Sequence, residues 1–474
     1  IQVLGGSSTI RDNEITDNSI WNCSNCWDNA AFTVSGGPVE ISNNLVAHNV
    51  SGAIRVVDAN NVTILENMLI HNQGKALSLD CYTFWECGNG TVARNILSDN
   101  TTGIDQGAFT AYRYKNLAVN HNAILRNTAL DRVALRNQFI GNNVDGSVYS
   151  ANTITGNIAL GAPGSQCIVS IEGLPLFIDN NIFNNSSYAL SNINTQGSAN
   201  LNAENNWWGT AVSADIQSLI HDYFDDPAQS IVDFLPYRGS FNLEAPVSPP
   251  GGVTVTSGLT SLGVSWAANP ESDVTGYNVY YDLDGRYPYS GTGADQGNSP
   301  IDVGSAQSLT LTGLPDGRYH VLVTAYDNAA DGVKDQTDGN ESWFSLDTTG
   351  ILGVPPHADF SADPQAGNLP LAVAFTNLSS GNYSTCAWDF GDGGSSTDCN
   401  NPAHTYTASG LYTVRLTIDG VSGTSLAEKT GYISVNTPPV AVDQSPVLDE
   451  DTYYSGNLGA TDAEILVSAG SQGA

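Results

Sequence analysis

Apolar residues in the first half of the chain recur inside one six-residue phrase, Asn-x-apolar-x-x-Asn. The phrase is complete seven times: Asn13-Ile15-Asn18, Asn44-Val46-Asn49, Asn67-Leu69-Asn72, Asn95-Leu97-Asn100, Asn122-Ile124-Asn127, Asn152-Ile154-Asn157 and Asn180-Ile182-Asn185. An eighth, degraded copy keeps Asn206 and carries Trp208 at the apolar position. Three positions before the leading Asn stands a second apolar residue in most copies: Ile10, Ile41, Ile64, Val92, Val119 and Phe177. Leading Asn residues are 23 to 31 apart, the period of a solenoid coil. Within the phrase the apolar spacing is that of a strand, not of a helix. The simplest object with this pattern is a parallel β-helix, whose coils pair about 4.8 Å apart along the axis. Asn suits its corners, because it tolerates left-handed backbone and its amide both donates and accepts. Stacked coil on coil, such amides are expected to form an internal ladder.

The phrase and its period resemble the right-handed parallel β-helix repeats of pectate-lyase-like proteins over residues 1–240. The stretch Asn205-Asn206-Trp207-Trp208-Gly209-Thr210, then Ile231 through Tyr237, resembles the last coil and exit of bacterial members. The resemblance implies polysaccharide chemistry on one outer face. Aligned on the phrase, the position before the second Asn reads Asp17, His48, His71, Asp99, Arg126, Gly156, Asn184. The position before the first reads Asn43, Glu66, Arg94, His121, Ala151 in the middle coils. Glu66, Asp99, His71, His121, Arg94 and Arg126 are therefore expected to share a patch a few coils tall. Glu66 and Asp99 are the candidate pair for an inverting hydrolase, which needs carboxylates about 6.5–9.5 Å apart. The family's catalytic Asp clusters do not match residue by residue, and no tight acidic cluster suits a lyase. The competing reading makes these residues solvated turn positions, with Glu66 and Arg94 in a surface ion pair.

After a Pro/Gly linker, Ala245 to Gly252, the pattern changes to short alternating strands, the mark of a sandwich. Trp266, the strand around Tyr277, Leu314-Pro315 and the strand Tyr319 to Tyr326 resemble a fibronectin type III module over residues 245–350. A second linker, Val354-Pro355-Pro356, leads to Ala387-Trp388-Asp389-Phe390-Gly391-Asp392-Gly393 and His404-Thr405-Tyr406. These resemble a PKD-type Ig-like module over residues 355–437, with the Asp and Gly residues as turn formers. Residues 438–474 look like the first strands of a cadherin-like module, or a tail donated to another sheet. The expected class is all-β: a solenoid, two sandwiches and an incomplete β module.

Forty-eight acidic residues against fifteen basic ones leave a net charge of −33. Nucleic acid is excluded as a partner, since no basic patch exists to neutralise phosphates. The acidity favours oxygen-ligand cations such as calcium, with Asp282 and Asp284, and Asp327 and Asp331, as candidate ligands. No apolar run reaches membrane-spanning length. The opening Ile1-Gln2-Val3-Leu4 reads as if already within a coil and is no signal peptide. Among seven cysteines, Cys386 and Cys399 flank a short loop whose closure would contribute about 3 kcal/mol. Cys23 and Cys26, and Cys81 and Cys87, fall in two solenoid excursions and read as disulfides of an exported protein, with pairing open. A four-thiolate zinc site is the alternative. Cys167 reads as a core thiol. No Ser-His-Asp arrangement, phosphate loop or HExxH motif is present.

These features point to an extracellular or cell-surface structural and adhesive protein. The rivals are a polysaccharide lyase or glycoside hydrolase, and a non-catalytic binder of surface glycans. The expected partner is another copy of the chain, joined head to tail into a filament, because the first coil has an uncapped edge and the last stretch is too short for a sandwich.

Overall fold

The computed structural model describes residues 1–18, 30–82, 87–103, 107–130, 132–139, 145–161, 166–327 and 341–438, with two short strands at 440–441 and 460–461. Its solenoid has three long parallel sheets and two short, two-stranded ones. The first, of nine strands, runs from Gln2–Leu4 to Ile220–His221. The second, of seven, runs from Ser8–Arg11 to Leu176–Ile178. The third, also of seven, consists of the phrase itself, from Glu14–Thr16 to Asn181–Phe183.

Register places like on like. In the third sheet Val46, Leu69, Leu97, Ile124, Ile154 and Ile182 pair in succession. In the second, Ile41, Ile64, Val92, Val119, Tyr149 and Phe177 do the same. All of these side chains are buried in one core that Trp208 closes. A one-residue slip would turn each file outward, so burial fixes the register.

The Asn residues form two ladders along the edges of the third sheet. Asn95 shows the pattern. Its backbone N–H and its amide both donate to Asn122 Oδ1, at 3.0 and 2.9 Å. The same amide donates to the Ala93 and Ile64 carbonyls, both at 3.0 Å, and so ties three coils together. The first ladder ends on the degraded copy, where Asn180 donates to Asn206 Oδ1 at 3.0 Å. The second runs through Asn18, Asn49, Asn72, Asn100, Asn127, Asn157 and Asn185. Buried backbone groups at a corner would otherwise lack partners, and the amides supply them.

Cys81 and Cys87 form a disulfide across one excursion, with Cα atoms 5.8 Å apart. That removes two of the four thiolates from the zinc alternative. Cys23 and Cys26 lie outside the described residues. Cys167 is buried beside Ile168 and Val169, as a core thiol should be.

The second module is a sandwich of a three-stranded and a four-stranded sheet. Its core holds Trp266, Tyr277, Tyr281 and Val323, and the Tyr319 hydroxyl donates to the Pro315 carbonyl at 2.9 Å. Its last strand is Thr348–Leu352. The third module packs three strands against five around Trp388, Phe375 and Val414. In its turn Asp392 accepts from the Gly394 N–H at 2.9 Å and contacts His404 Nε2 at 2.8 Å. Cys386 and Cys399 are joined, with Cα atoms 5.2 Å apart. Beyond it Val440–Ala441 pairs antiparallel with Ala460–Thr461; the remainder of that stretch lies outside the described residues.

The second module does not trail from the solenoid as a bead. The linker runs back over the third sheet: Asn181 and Asn242 exchange two hydrogen bonds of 2.9 and 2.8 Å, and Thr153 Oγ1 donates to the Pro246 carbonyl at 2.6 Å. The second module then seats Leu322, Trp343, Phe344, Tyr280, Tyr287 and Tyr289 on Ala47, Ile70, Ile96, Ala123 and Leu125. Arg286 reaches Asp17 of the first coil at 3.2 Å.

Replacing Asn122 by Leu orphans the buried Asn95 backbone N–H and removes the amide that donates to Asn152 Oδ1. It should cost roughly 1–3 kcal/mol in equilibrium denaturation. A loss within error would show the ladder to be dispensable.

Candidate functional site

Both aligned positions have left-handed backbone. Asp17, His48, His71, Asp99 and Arg126 have φ of 55, 56, 54, 59 and 50° at one corner. Glu66, Arg94, His121 and Ala151 have φ of 59, 54, 53 and 51° at the other. Non-glycine residues rarely adopt this region, and each phrase turns on one such residue followed by an Asn. The six candidates are thus brought together only in part. Two files flank the third sheet: Glu66, Arg94 and His121 on one edge, His48, His71, Asp99 and Arg126 on the other. From one corner to the other along a strand is five residues, about 16 Å. The expected carboxylate pair of Glu66 and Asp99 is therefore split across the sheet, beyond the reach of an inverting mechanism.

Each carboxylate is engaged by an arginine of the next coil. Glu66 contacts Arg94 at 2.8 Å on the surface, as the competing reading held. Asp99 is different. Arg126 donates to it twice, from Nε at 2.9 Å and Nη2 at 2.8 Å, with both side chains largely buried at 18% exposure. Ser98 Oγ adds a bond of 2.6 Å, and Arg126 Nη1 donates across the joint to the Phe344 carbonyl at 2.9 Å. Burial, the largest single influence, would raise the Asp99 carboxyl, but the Arg126 hydrogen bonds and charge, with the Ser98 bond and His71, together outweigh it and hold the group below the ordinary carboxylate range. Asp99 and Arg126 are accordingly a joint-forming pair and not solvated turn residues.

His48 and His71 stack with ring centroids 4.9 Å apart. Burial against the second module pushes the His71 imidazole below its ordinary value, with Asp99 pulling the other way, although part of the ring reaches solvent. On the opposite edge, burial and then Arg94 lower His121. Between the His–Asp–Arg corner and the sandwich lies a cleft of about 260 Å³, lined also by Tyr287, Tyr289, Trp343, Phe344 and Asp347.

The aromatic seat was missed by the sequence reading, although a signal for it exists. Met68-Leu69-Ile70 and Ala123-Ile124-Leu125 are apolar at all three positions, which marks strands buried on both faces. A second missed cluster lies on the outer face of the first sheet. Arg55 pairs with Asp80 at 2.7 Å and lies over the Tyr82 ring, and Tyr82 is 5.5 Å from Tyr112. Arg113 lies over Tyr112 at 4.9 Å. Of the calcium candidates, Asp282 spends its oxygens on the N–H groups of Leu283 and Ser290, both at 2.7 Å, and Asp284 accepts from Arg286 at 3.3 Å. They cap a turn. Asp327 ends a strand, and Asp331 lies outside the described residues.

Residues 248–337 match the fibronectin type III domain model, and residues 353–435 match the PKD domain model. Neither reaches the solenoid. Among solved structures, one on Dscam isoform specificity matches 42% of this chain and 48% of its own, at 12% identity and a TM-score of 0.24. The chicken CNTN1 FN1-FN3 domains match 42% and 73%, at 17% identity and 0.20. An amphioxus IgVJ-C2 molecule matches 38% and 99%, at 14% identity and 0.23. The chain thus spans about half the length of the first, and likeness at such scores carries neither fold nor function across.

Arg126→Met leaves the Asp99 carboxylate without its partner and should destabilise the folded chain by roughly 2–4 kcal/mol at neutral pH. Asp99 is depressed in the native protein, so its contribution is complete above the ordinary value of 3.8 and is lost as pH falls through the depressed value. In the variant, burial without the arginine raises Asp99, and acid relieves it. The gap between the two unfolding curves should therefore narrow as pH falls through the carboxylate range. A gap that stays constant would contradict the assignment.

Proposed function

We propose that this chain is a modular extracellular adhesive protein, with the solenoid as a stiff support and the sandwich modules as contact and spacer units. The seat of the fibronectin type III module on the third sheet carries the reading. The face expected to work on polysaccharide is occupied by the chain's own aromatic residues, and its two carboxylates are split and arginine-bound. The fibronectin type III and PKD domains and two disulfides fit an extracellular setting. Among the described residues, no helix is long and apolar enough to cross a membrane.

A second reading, a non-catalytic glycan binder, is favoured by one observation. Tyr82, half exposed at 50%, and Tyr112 offer aromatic surface on the outside of the solenoid, held in place by the Arg55–Asp80 pair. Head-to-tail association is the finer part of the proposal.

The intact chain should release neither reducing sugar nor unsaturated product from a polysaccharide panel, with or without calcium. Release abolished by Glu66→Gln or Asp99→Asn would sink the adhesive reading in favour of the enzyme. Beads coated with the chain should be retained on matrix-protein or glycan arrays. If Tyr82→Ala abolishes retention on a glycan spot, the second reading takes over. Sedimentation should show mass rising with concentration, and a constant monomer mass would remove the head-to-tail part alone.

A further inference from the structure

The cleft at the joint is lined by side chains of the packed seat that keep part of their surface open, a chemistry the adhesive reading does not use. It is concave and lies between two modules, a preferred place for small-ligand sites. Its wall is aromatic: Tyr289 and Tyr287 stand 5.0 and 6.0 Å from Phe344, centroid to centroid, and both keep part of their surface open. Its rim is acidic. The one guanidinium, Arg126, is neutralised by Asp99, which leaves Asp347 on the sandwich side, in contact with His320 at 2.6 Å. Burial, then Asp347 and Asp99, with Asp284 adding to them, push the Tyr289 hydroxyl up to about 12 against the opposing Arg126. The local potential is therefore negative, within a chain whose net charge of −33 already draws cations. Aromatic faces beside a carboxylate that a histidine, and no arginine, engages suit an organic cation and repel an anion.

We propose that this cleft binds an alkylammonium group through the Tyr287 and Tyr289 rings and the Asp347 carboxylate. The head group comes either from a free quaternary amine or from a lysine side chain offered by a partner protein. Both have the same requirement, a positive charge on a compact tetrahedral nitrogen set against ring faces. A volume of about 260 Å³ admits such a head with a short stem and excludes drug-sized ligands, whose sites start near 300 Å³.

The test is calorimetric or NMR titration of the full chain with choline, Nα-acetyl-lysine methyl ester, glucose and acetate. Choline or the lysine derivative should bind saturably, with a dissociation constant on the order of millimolar. Choline alone would assign a free amine, and the lysine derivative alone a partner's side chain. Tyr289→Phe keeps the ring and should bind as the native chain does. Tyr289→Leu and Asp347→Asn should weaken binding by about tenfold or more. The proposal is overturned if neither cation binds, if glucose or acetate binds as tightly, or if Tyr289→Leu retains the native affinity. Loss of binding in Tyr289→Phe would overturn it too, since that variant keeps the aromatic face and its seat on Phe344.

Discussion

The doubled bond from each ladder asparagine to the amide oxygen of the next is the constraint on which this molecule depends. Each Oδ1 accepts both the backbone N–H and the amide of the neighbouring coil, so one side chain sets spacing and register together. Apolar files alone would fix which residues face inward but tolerate small slides along the axis. The ladders remove that freedom, because a displaced amide is a buried group without a partner. Every surface feature inherits the resulting alignment. Two residues occupying the same phrase position on neighbouring coils must sit one above the other, which is why Asp99 meets Arg126 and His48 meets His71.

The same alignment explains how the joint works. A strand of three residues offers one inward position and two outward ones. In the middle coils those outward positions carry Ile70, Ile96, Ala123 and Leu125, a strip that water would not cover at low cost. The fibronectin type III module supplies the cover. The arginine at the corner then closes the edge of the strip by bonding to a backbone carbonyl of that module. Solenoid and sandwich share a hydrophobic cluster, and the third sheet is finished only when the module lies on it.

The solenoid, its ladders and both sandwich types were legible in the sequence because each leaves a short-range mark: a repeated phrase, a Trp-Asp-Phe-Gly-Asp turn, a run of alternating strands. The functional patch was legible only as a set of positions. Alignment on the phrase put Glu66 and Asp99 on neighbouring coils but at opposite corners, and only the extended strand between those corners turns the five-residue offset into a separation of about 16 Å. Nor could charge alone reveal that Asp99 and Arg126 are buried, since the residues that bury them, Trp343 and Phe344, lie more than two hundred positions downstream. The apolar triplets were the available clue. They say that something covers the strand, not what does.

The varying coil length has a further consequence. Successive coils differ by up to eight residues in length, yet the phrase keeps its six residues in all seven complete copies. All of that variation falls in the connections, so loops can be lengthened or trimmed while the ladders persist, and a whole coil could be gained or lost without breaking either one. What forbids such a change here is the module lying alongside. It touches the first coil through Arg286, the fifth through Phe344, and the seventh through its own linker at Asn242. A duplicated or deleted coil would put those three anchors out of step. In an otherwise free repeat array, the sandwich acts as a gauge of the number of coils between its anchors, and that stretch of the gene is held to length by a neighbour's surface.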